Sequence, residues 1–255
     1  MSQLCIQDSR TVAYRALCLG TLLKRREWEL AVQNSGERFI FDGVRDHVLQ
    51  QYQQFNADLL KWLAAEKIMP HLSKSEQRIL NQPFATWSER TLTCIGWRIE
   101  ALGILLWALK RVDTIPAYDD QFILKALLEP LDLLNPTIDF IWLASLRPAE
   151  ELQIARDCAE QWNWRSRATE LERMGVRPPD GVTFSDVIRF TAERAIENRL
   201  LSYLIQGDFP AFAKAYVDLT DDEYALTSAI AYERYFALNW VCELSTSWEG
   251  IRIDL

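Results

Sequence analysis

The chain has 255 residues, of which 49% are hydrophobic and 25% charged, a balance typical of globular proteins and not of disordered ones. Its net charge of −8 is unevenly spread: residues 1–112 carry 15 basic and 11 acidic side chains, residues 113–160 carry 3 and 10, and residues 208–255 carry 3 and 9. Acidic surface repels nucleic acid and attracts basic proteins, so we expect no nucleic-acid partner. The alternative is a solvated surface that serves solubility alone.

The five cysteines are scattered and include no Cys-x-x-Cys pair, which argues against a disulfide framework and against a zinc site. The first residues lack the basic start and long apolar run of a secretory signal. The uninterrupted apolar stretch after Glu100 ends at Lys110, short of the roughly 20 residues that a membrane span needs. We therefore expect a cytoplasmic protein without membrane association.

Helical periodicity runs through most of the chain. It predicts helices over residues 9–36, 44–68, 73–82, 86–112, 148–174, 185–205 and 220–244, and a short helix that starts at 208–210. Ser9 is placed to cap the first of these helices. Ser73 with Glu76 has the spacing of a capping box, as has Thr220 with Glu223.

Strand-like alternation is confined to the stretches RFIFDG, TIDFIWL and IRIDL. The predicted fold class is therefore all-α: a compact multi-helix domain of roughly eight to ten helices, with at most short strand segments. We expect residues 1–255 to form a single domain, or two helical halves joined near residues 175–183, where the loop VRPPDG interrupts the helical pattern.

Two charged residues, Arg98 and Glu100, lie inside the apolar stretch WRIEALGILLWAL. Residues two apart on a helix point in different directions, so these two cannot pair with each other. A second apolar stretch begins with Glu233 and Arg234 and contains Asn239.

We predict a buried network in which Arg98 pairs with Glu233, Glu100 pairs with Arg234, and the Asn239 amide adds hydrogen bonds. Two alternatives stay open. The same side chains could line a ligand or catalytic site, or they could lie at helix ends and reach solvent.

Three blocks, residues 97–116, 146–168 and 233–255, resemble the signature blocks of a mainly bacterial family catalogued as domain of unknown function 4272. The resemblance spans nearly the whole chain and implies the family's fold and compartment, but no activity. In its tail, Leu255 stands where the family usually has a threonine. The family pattern marks Trp97, Arg98, Glu100, Ala101, Leu102, Trp107, Glu233, Arg234, Ala237, Leu238, Asn239, Trp240, Trp248 and Asp254.

Motifs for catalysis are absent from the sequence. The two histidines, His47 and His71, lie outside any metal-binding pattern, and there is no nucleophile elbow, P-loop or dinucleotide fingerprint. Acids at 119–120, 150–151 and 221–223 could suggest a divalent cation, but negative charge in a helix first turn is the preferred explanation for the last group. We therefore predict no metal, no cofactor and no catalytic residue.

The tryptophans in QWNWRSR, Trp162 and Trp164, could stack nucleic-acid bases, but their acidic flanks oppose this. Interleaved tryptophans in an amphipathic helix are more typical of core and boundary positions, which we predict for both.

The preferred function is that of a non-catalytic, cytoplasmic protein-binding protein, such as an immunity protein that neutralises a bacterial toxin through an acidic surface. The residues predicted to bind a basic partner are Asp119, Asp120, Glu129, Asp132, Glu150 and Glu151. The alternative is an enzyme that acts on a small polar substrate at a pocket lined by Arg98, Glu100, Glu233 and Asn239. A third hypothesis is a structural or homo-oligomeric adaptor.

Overall fold

A computed structural model of the chain describes residues 6–38, 42–178, 181–242 and 247–250, with side chains described in all but 35–38 and 42–45 of these. Over these ranges the chain forms nine α-helices, four short 3-10 helices and one pair of two-residue strands. The predicted all-α fold class is thus confirmed. The strand-like stretch TIDFIWL is mostly helical. IRIDL and the centre of RFIFDG lie outside the described residues.

The chain divides into two compact units. Unit 1 consists of Met1–Ile6, Ile115–Gln121 and Arg147–Leu255, and unit 2 consists of Gln7–Thr114 and Phe122–Leu146. Residues 175–183, the alternative boundary that the sequence suggests, lie within unit 1.

Unit 2 is built from six helices and two 3-10 turns. They are α1 (Ser9–Arg38), α2 (Asp42–Ala65), the 3-10 turn Met69–His71, α3 (Lys74–Leu80), α4 (Glu89–Ala108), α5 (Leu124–Leu128), the 3-10 turn Glu129–Leu131 and α6 (Ile138–Trp142). The capping box predicted for α3 is present, because Ser73 Oγ accepts the Glu76 amide and Glu76 Oε2 accepts the Ser73 amide. The cap of α1 is Asp8 and not Ser9. One Asp8 carboxylate oxygen accepts two amides of the first turn, both at 3.1 Å.

Helix α4 is the core helix of unit 2. Every residue from Glu100 to Ala108 is buried, as expected for a helix that is apolar around its full circumference. Among the described residues α4 also has the length and composition to cross a membrane, but 61% of its apolar window is buried inside the structure. A core helix satisfies the same length and composition criteria.

Unit 1 contains three helices and a small hairpin. They are α7 (Ala149–Arg173), α8 (Phe184–Glu197), β1 (Pro210–Ala211), β2 (Lys214–Ala215), the 3-10 turn Tyr216–Asp218, α9 (Asp221–Cys242) and the 3-10 turn Trp248–Gly250. The predicted capping box at the start of α9 is present, because Thr220 and Glu223 exchange side-chain and backbone hydrogen bonds.

The helix predicted over 185–205 is wrong beyond Glu197. The chain turns there, with Arg199 at a positive φ of 60° and the amides of Leu200 and Leu201 both donating to the Ala195 carbonyl. Such a positive-φ residue ends a helix, although glycine is its usual occupant. The cap also differs: Thr183, in a capping box with Asp186, replaces Ser185.

The short helix predicted from 208–210 is wrong as well, because this stretch forms the β1–β2 hairpin. Phe212 and Ala213, at its turn, have φ values of 52° and 57°, the conformation of a type I′ turn that normally requires Asn or Gly. The Asp119 carboxylate accepts the Phe212 amide at 2.6 Å and so anchors the turn. A contact from a residue 93 positions away thus accompanies a turn that local propensity disfavours.

Two glycines of α4 provide a matched test of this packing. A Cβ at Gly103 would lie 2.2 Å from the buried Phe122 ring, whereas a Cβ at Gly96 would meet the end of the flexible Arg26 side chain at 2.8 Å. We expect Gly103→Ala to lower the free energy of unfolding by about 1–3 kcal/mol, because the ring cannot move aside. Gly96→Ala, with the same gain of about 1 kcal/mol in helix propensity, should be near neutral. Urea denaturation measures both, and equal losses would contradict the assigned packing.

Candidate functional site

Buried ion pairs inside each unit fix loops to helices. In unit 2, Arg25 and Glu29 are fully buried on successive turns of α1, with Arg25 Nη2 2.7 Å from Glu29 Oε1. The guanidinium also donates to Asn56 Oδ1 and to two carbonyls of the loop 82–87, whose backbone amides donate to Glu29. Sequence reasoning missed this cluster, although the four-residue spacing of Arg25 and Glu29 was a visible signal.

A comparable pair in unit 1 joins α7 to the hairpin. Arg165 donates through Nε and Nη2 to the two oxygens of Asp208, each at 2.7 Å. Asp208 also accepts the amides of Phe209 and Val217, at 2.7 and 3.0 Å. Both oxygens of the buried Asp208 carboxylate therefore accept hydrogen bonds. No local pattern in the sequence predicted the pair of Arg165 and Asp208.

The predicted network residues of unit 2 are placed differently from one another. Glu100 is 0% exposed, and its carboxylate accepts the Phe122 amide at 3.1 Å, whereas Arg98 is half-buried. Glu100 therefore holds the chain where it re-enters unit 2 after residue 121.

The predicted network residues of unit 1, all on α9, are buried. Arg234 is 0% exposed and donates to the carbonyls of Pro116, Ala117 and Asp120 at 2.7, 3.2 and 2.8 Å. Its guanidinium carbon also lies 4.9 Å from the centre of the Tyr118 ring. Arg234 thus fixes the segment 115–121 onto α9.

Asn239, farther along α9, accepts a hydrogen bond from Arg156 Nε at 2.7 Å, and Glu233 is 7% exposed. The burial expected of these residues is present. The pairings of Arg98 with Glu233 and of Glu100 with Arg234 concern residues of different units and stay predictions.

A cavity of about 330 Å³ lies within unit 1. Its lining consists of Ile115, Pro116, Ala117, Tyr118, Asp119, Ala155, Cys158, Trp162, Leu200, Leu201, Ser202, Tyr203 and Pro210. Tyr118 stacks on Trp162 with ring centres 4.7 Å apart, and Trp162 is only 5% exposed. The core role preferred for this tryptophan is therefore supported, and sequence reasoning did not anticipate the cavity beside it.

The six acids predicted to bind a partner are divided between the units, with Asp119, Asp120, Glu150 and Glu151 in unit 1 and Glu129 and Asp132 in unit 2. All are exposed except Asp119, which is half-buried. Glu150 and Glu151 lie in the first turn of α7, where they complement the helix dipole. The Asp132 carboxylate accepts the Asn135 side-chain amide at 2.7 Å.

Burial shifts the pKa of His71 and that of Cys158. The described residues contain no group of three or more His, Cys, Asp or Glu side chains that could hold a metal ion. His71 stacks on Tyr14, and burial, with the nearby Arg15 charge, lowers its pKa. Cys158 donates its thiol to the Leu200 carbonyl, and burial raises its pKa to about 11, which leaves it protonated at neutral pH.

We expect Arg234→Lys to lower the free energy of unfolding by about 2–4 kcal/mol. An ammonium group cannot reach the three carbonyls that the guanidinium serves, so buried acceptors lose their donors. The matched control is Arg177→Lys, at an exposed arginine of the same unit, which should change stability by less than about 0.5 kcal/mol. Thermal and urea unfolding give both values, and an equally small effect at Arg234 would contradict its anchoring role.

We expect iodoacetamide to alkylate Cys158 far more slowly than Cys94, which is exposed. Only the thiolate reacts, and a pKa raised from 9.0 to about 11 reduces the thiolate fraction about a hundredfold at pH 8. The Cys158 rate should rise about tenfold per pH unit up to its pKa. Peptide mapping by mass spectrometry measures both rates, with the urea-unfolded chain as control. A Cys158 rate that levels off below pH 9 in the folded chain would contradict the assignment.

Comparison with known proteins gives one family. The model of the family described as Domain of unknown function (DUF4272) matches residues 3–185, well over half of the chain. The matched range includes the first two of the three sequence blocks and ends before the third, which contains Arg234 and Asn239. No curated protein and no solved structure matches. The chain belongs to the DUF4272 family.

Proposed function

We propose that this chain is a non-catalytic cytoplasmic protein that binds a basic protein partner through the acidic surface of unit 1. A bacterial toxin whose own site must attract phosphate is the kind of partner that fits, and the chain would then act as its immunity protein.

The division of charge between the two units carries the proposal. Unit 1 holds 12 basic and 21 acidic side chains, a net charge of −9, whereas unit 2 holds 16 basic and 15 acidic, a net charge of +1. An excess of one sign concentrated in one compact unit creates a field that accelerates encounters with an oppositely charged protein. Exposed Asp120, Glu150 and Glu151 are the acids of unit 1 that we assign to this encounter, and half-buried Asp119 precedes Asp120 in the sequence.

The surroundings of the buried charges favour binding over catalysis. The carboxylate of Glu100 accepts a backbone amide and Asn239 accepts from Arg156, so the side chains of the enzyme alternative have structural partners. Neither Glu233 nor Asn239 lines the 330 Å³ cavity of unit 1. The enzyme alternative therefore lacks an observation in its favour.

Exposed apolar side chains in unit 2 also favour a protein partner. Ile138 and Trp142, four residues apart on α6, are each 61% exposed, and the adjoining Leu143 is 71% exposed. Large exposed apolar groups close together are typical of protein-binding surfaces. We assign this segment to protein binding by unit 2 itself.

The test begins with co-purification of the tagged full chain from its native cells at low salt, identification of the partner, and measurement of binding between the purified proteins. We expect a basic partner whose association slows steeply as salt rises. Asp120→Lys with Glu150→Lys should slow association about tenfold at low salt. The matched control, Asp46→Lys with Glu89→Lys, makes the same charge change at exposed acids of unit 2 and should have little effect.

A partner that is acidic, or whose association is insensitive to salt and to the Asp120/Glu150 variant, would contradict the proposal. For the immunity role, co-expression of the chain should restore growth to cells that produce the partner. Growth inhibition that persists despite complex formation would leave binding in place and remove the immunity role.

A further inference from the structure

The cavity of unit 1 has the composition of a ligand site. Its volume of about 330 Å³ is at the small end of the range for ligand pockets, and most of its lining is apolar. One wall is the segment 115–119 and another is the α7 face that carries Ala155, Cys158 and Trp162. The residues 200–203, where the chain leaves α8, contribute the rest together with Pro210.

Asp119 is the one charged side chain among the lining residues. Its Oδ2 accepts the Phe212 amide at 2.6 Å, which fixes the carboxylate in place. Within the described part of the chain, Oδ1 has no hydrogen-bond partner. The cavity therefore contains an oriented negative charge with one oxygen available to a donor.

The other polar and aromatic groups that line the cavity are compatible with a positively charged ligand. The 58% exposed Tyr203 supplies aromatic surface, on which cations bind favourably, whereas Tyr118 and Trp162 stack on each other and are 9% and 5% exposed. The Cys158 thiol, already donating to the Leu200 carbonyl, is neutral. Arg234 contacts the Tyr118 ring from a fully buried position and donates to the backbone carbonyls of Pro116, Ala117 and Asp120.

We propose that this cavity binds an alkyl guanidinium or alkyl ammonium group, with the Asp119 carboxylate as its counter-ion and the aromatic side chains around its apolar stem. The inference deepens the proposed function and rests on it for the field of unit 1, whose net charge is −9. An arginine or lysine side chain of the basic partner carries this chemistry, as does a free small organic cation. The tests below separate these two sources.

The first experiment titrates the full chain with butylguanidinium, butylammonium and, as the uncharged analogue, butanol, using calorimetry and ligand-observed NMR. We expect both cations to bind at least tenfold more tightly than butanol, because butanol offers no charge to Asp119. Equal binding of the three probes, or no binding of either cation at millimolar concentration, would overturn the proposal.

Substitutions then locate the site. Asp119→Asn keeps an oxygen that can accept the Phe212 amide but removes the charge, and it should weaken butylguanidinium binding at least tenfold. Ala155→Leu should block the cavity while leaving the carboxylate intact. The matched control is Glu160→Gln, which makes the same charge change at an exposed acid of α7 that does not line the cavity, and it should leave the affinity unchanged.

Circular dichroism and melting temperature confirm that each variant is folded. Butylguanidinium affinity that is unaltered in folded Asp119→Asn, or that falls equally in Glu160→Gln, would overturn the assignment.

The source of the cation is resolved with the identified partner. If a partner side chain enters the cavity, butylguanidinium should compete with the partner for binding. The losses of partner affinity caused by Asp119→Asn and by substitution of one arginine or lysine in the partner should then be non-additive. If the chain binds butylguanidinium but Asp119→Asn leaves the affinity for the partner unchanged, the ligand of the cavity is a free small cation. If no basic partner exists and butylguanidinium still binds through Asp119, the proposed function fails while the cavity site stands.

Discussion

Buried arginines that donate to backbone carbonyls organise this protein. Burying an ion is costly unless hydrogen bonds replace its hydration, and a loop carbonyl is in the same position because it lacks a helix or sheet partner. Arg25 and Arg234 resolve both problems at once, each joining a long helix to an irregular segment. These two guanidinium groups therefore hold the loop 82–87 in unit 2 and the segment 115–121 in unit 1.

The same arrangement shapes the candidate site. Arg234 fixes the segment 115–121 against α9, and this places Asp119 where it accepts the Phe212 amide and lines the cavity. The position of the Asp119 carboxylate therefore depends on the fully buried Arg234 guanidinium. Charged residues within apolar helical stretches are thereby explained. Glu100 accepts a backbone amide and Arg234 donates to backbone carbonyls, and these groups have no partner in a helix or sheet.

Much of the fold was predictable from the sequence, because helix periodicity and capping are local. The capping boxes at Ser73 and Thr220 and the full burial of α4 follow from a few neighbouring residues. The errors occur where distant contacts dominate. The hairpin at 210–215 has Phe and Ala in a turn that favours Asn or Gly, and its anchor, Asp119, is 93 residues away.

Only part of the candidate site was predictable for the same reason. Composition and sequence position marked Asp119 as an acid on an acidic segment, but only the fold unites it with Trp162 and Tyr203 around one cavity. The importance of Arg234 was visible as a charge in an apolar helix. Its guanidinium donates to backbone carbonyls, and the sequence does not show which carbonyls a distant side chain will reach.

The discontinuity of unit 1 has a consequence for biosynthesis. The segment Ile115–Gln121 emerges from the ribosome before Arg234, whose hydrogen bonds to it span 114 to 118 residues. At the usual translation rate of about 5–20 residues per second, several seconds pass between the synthesis of these carbonyl groups and the synthesis of Arg234, which donates to them. Unit 2 has all its residues by Leu146, so it can fold while this segment is still without α9. A product truncated after residue 185, where the family match ends, would keep the segment but never acquire the helix that orders it.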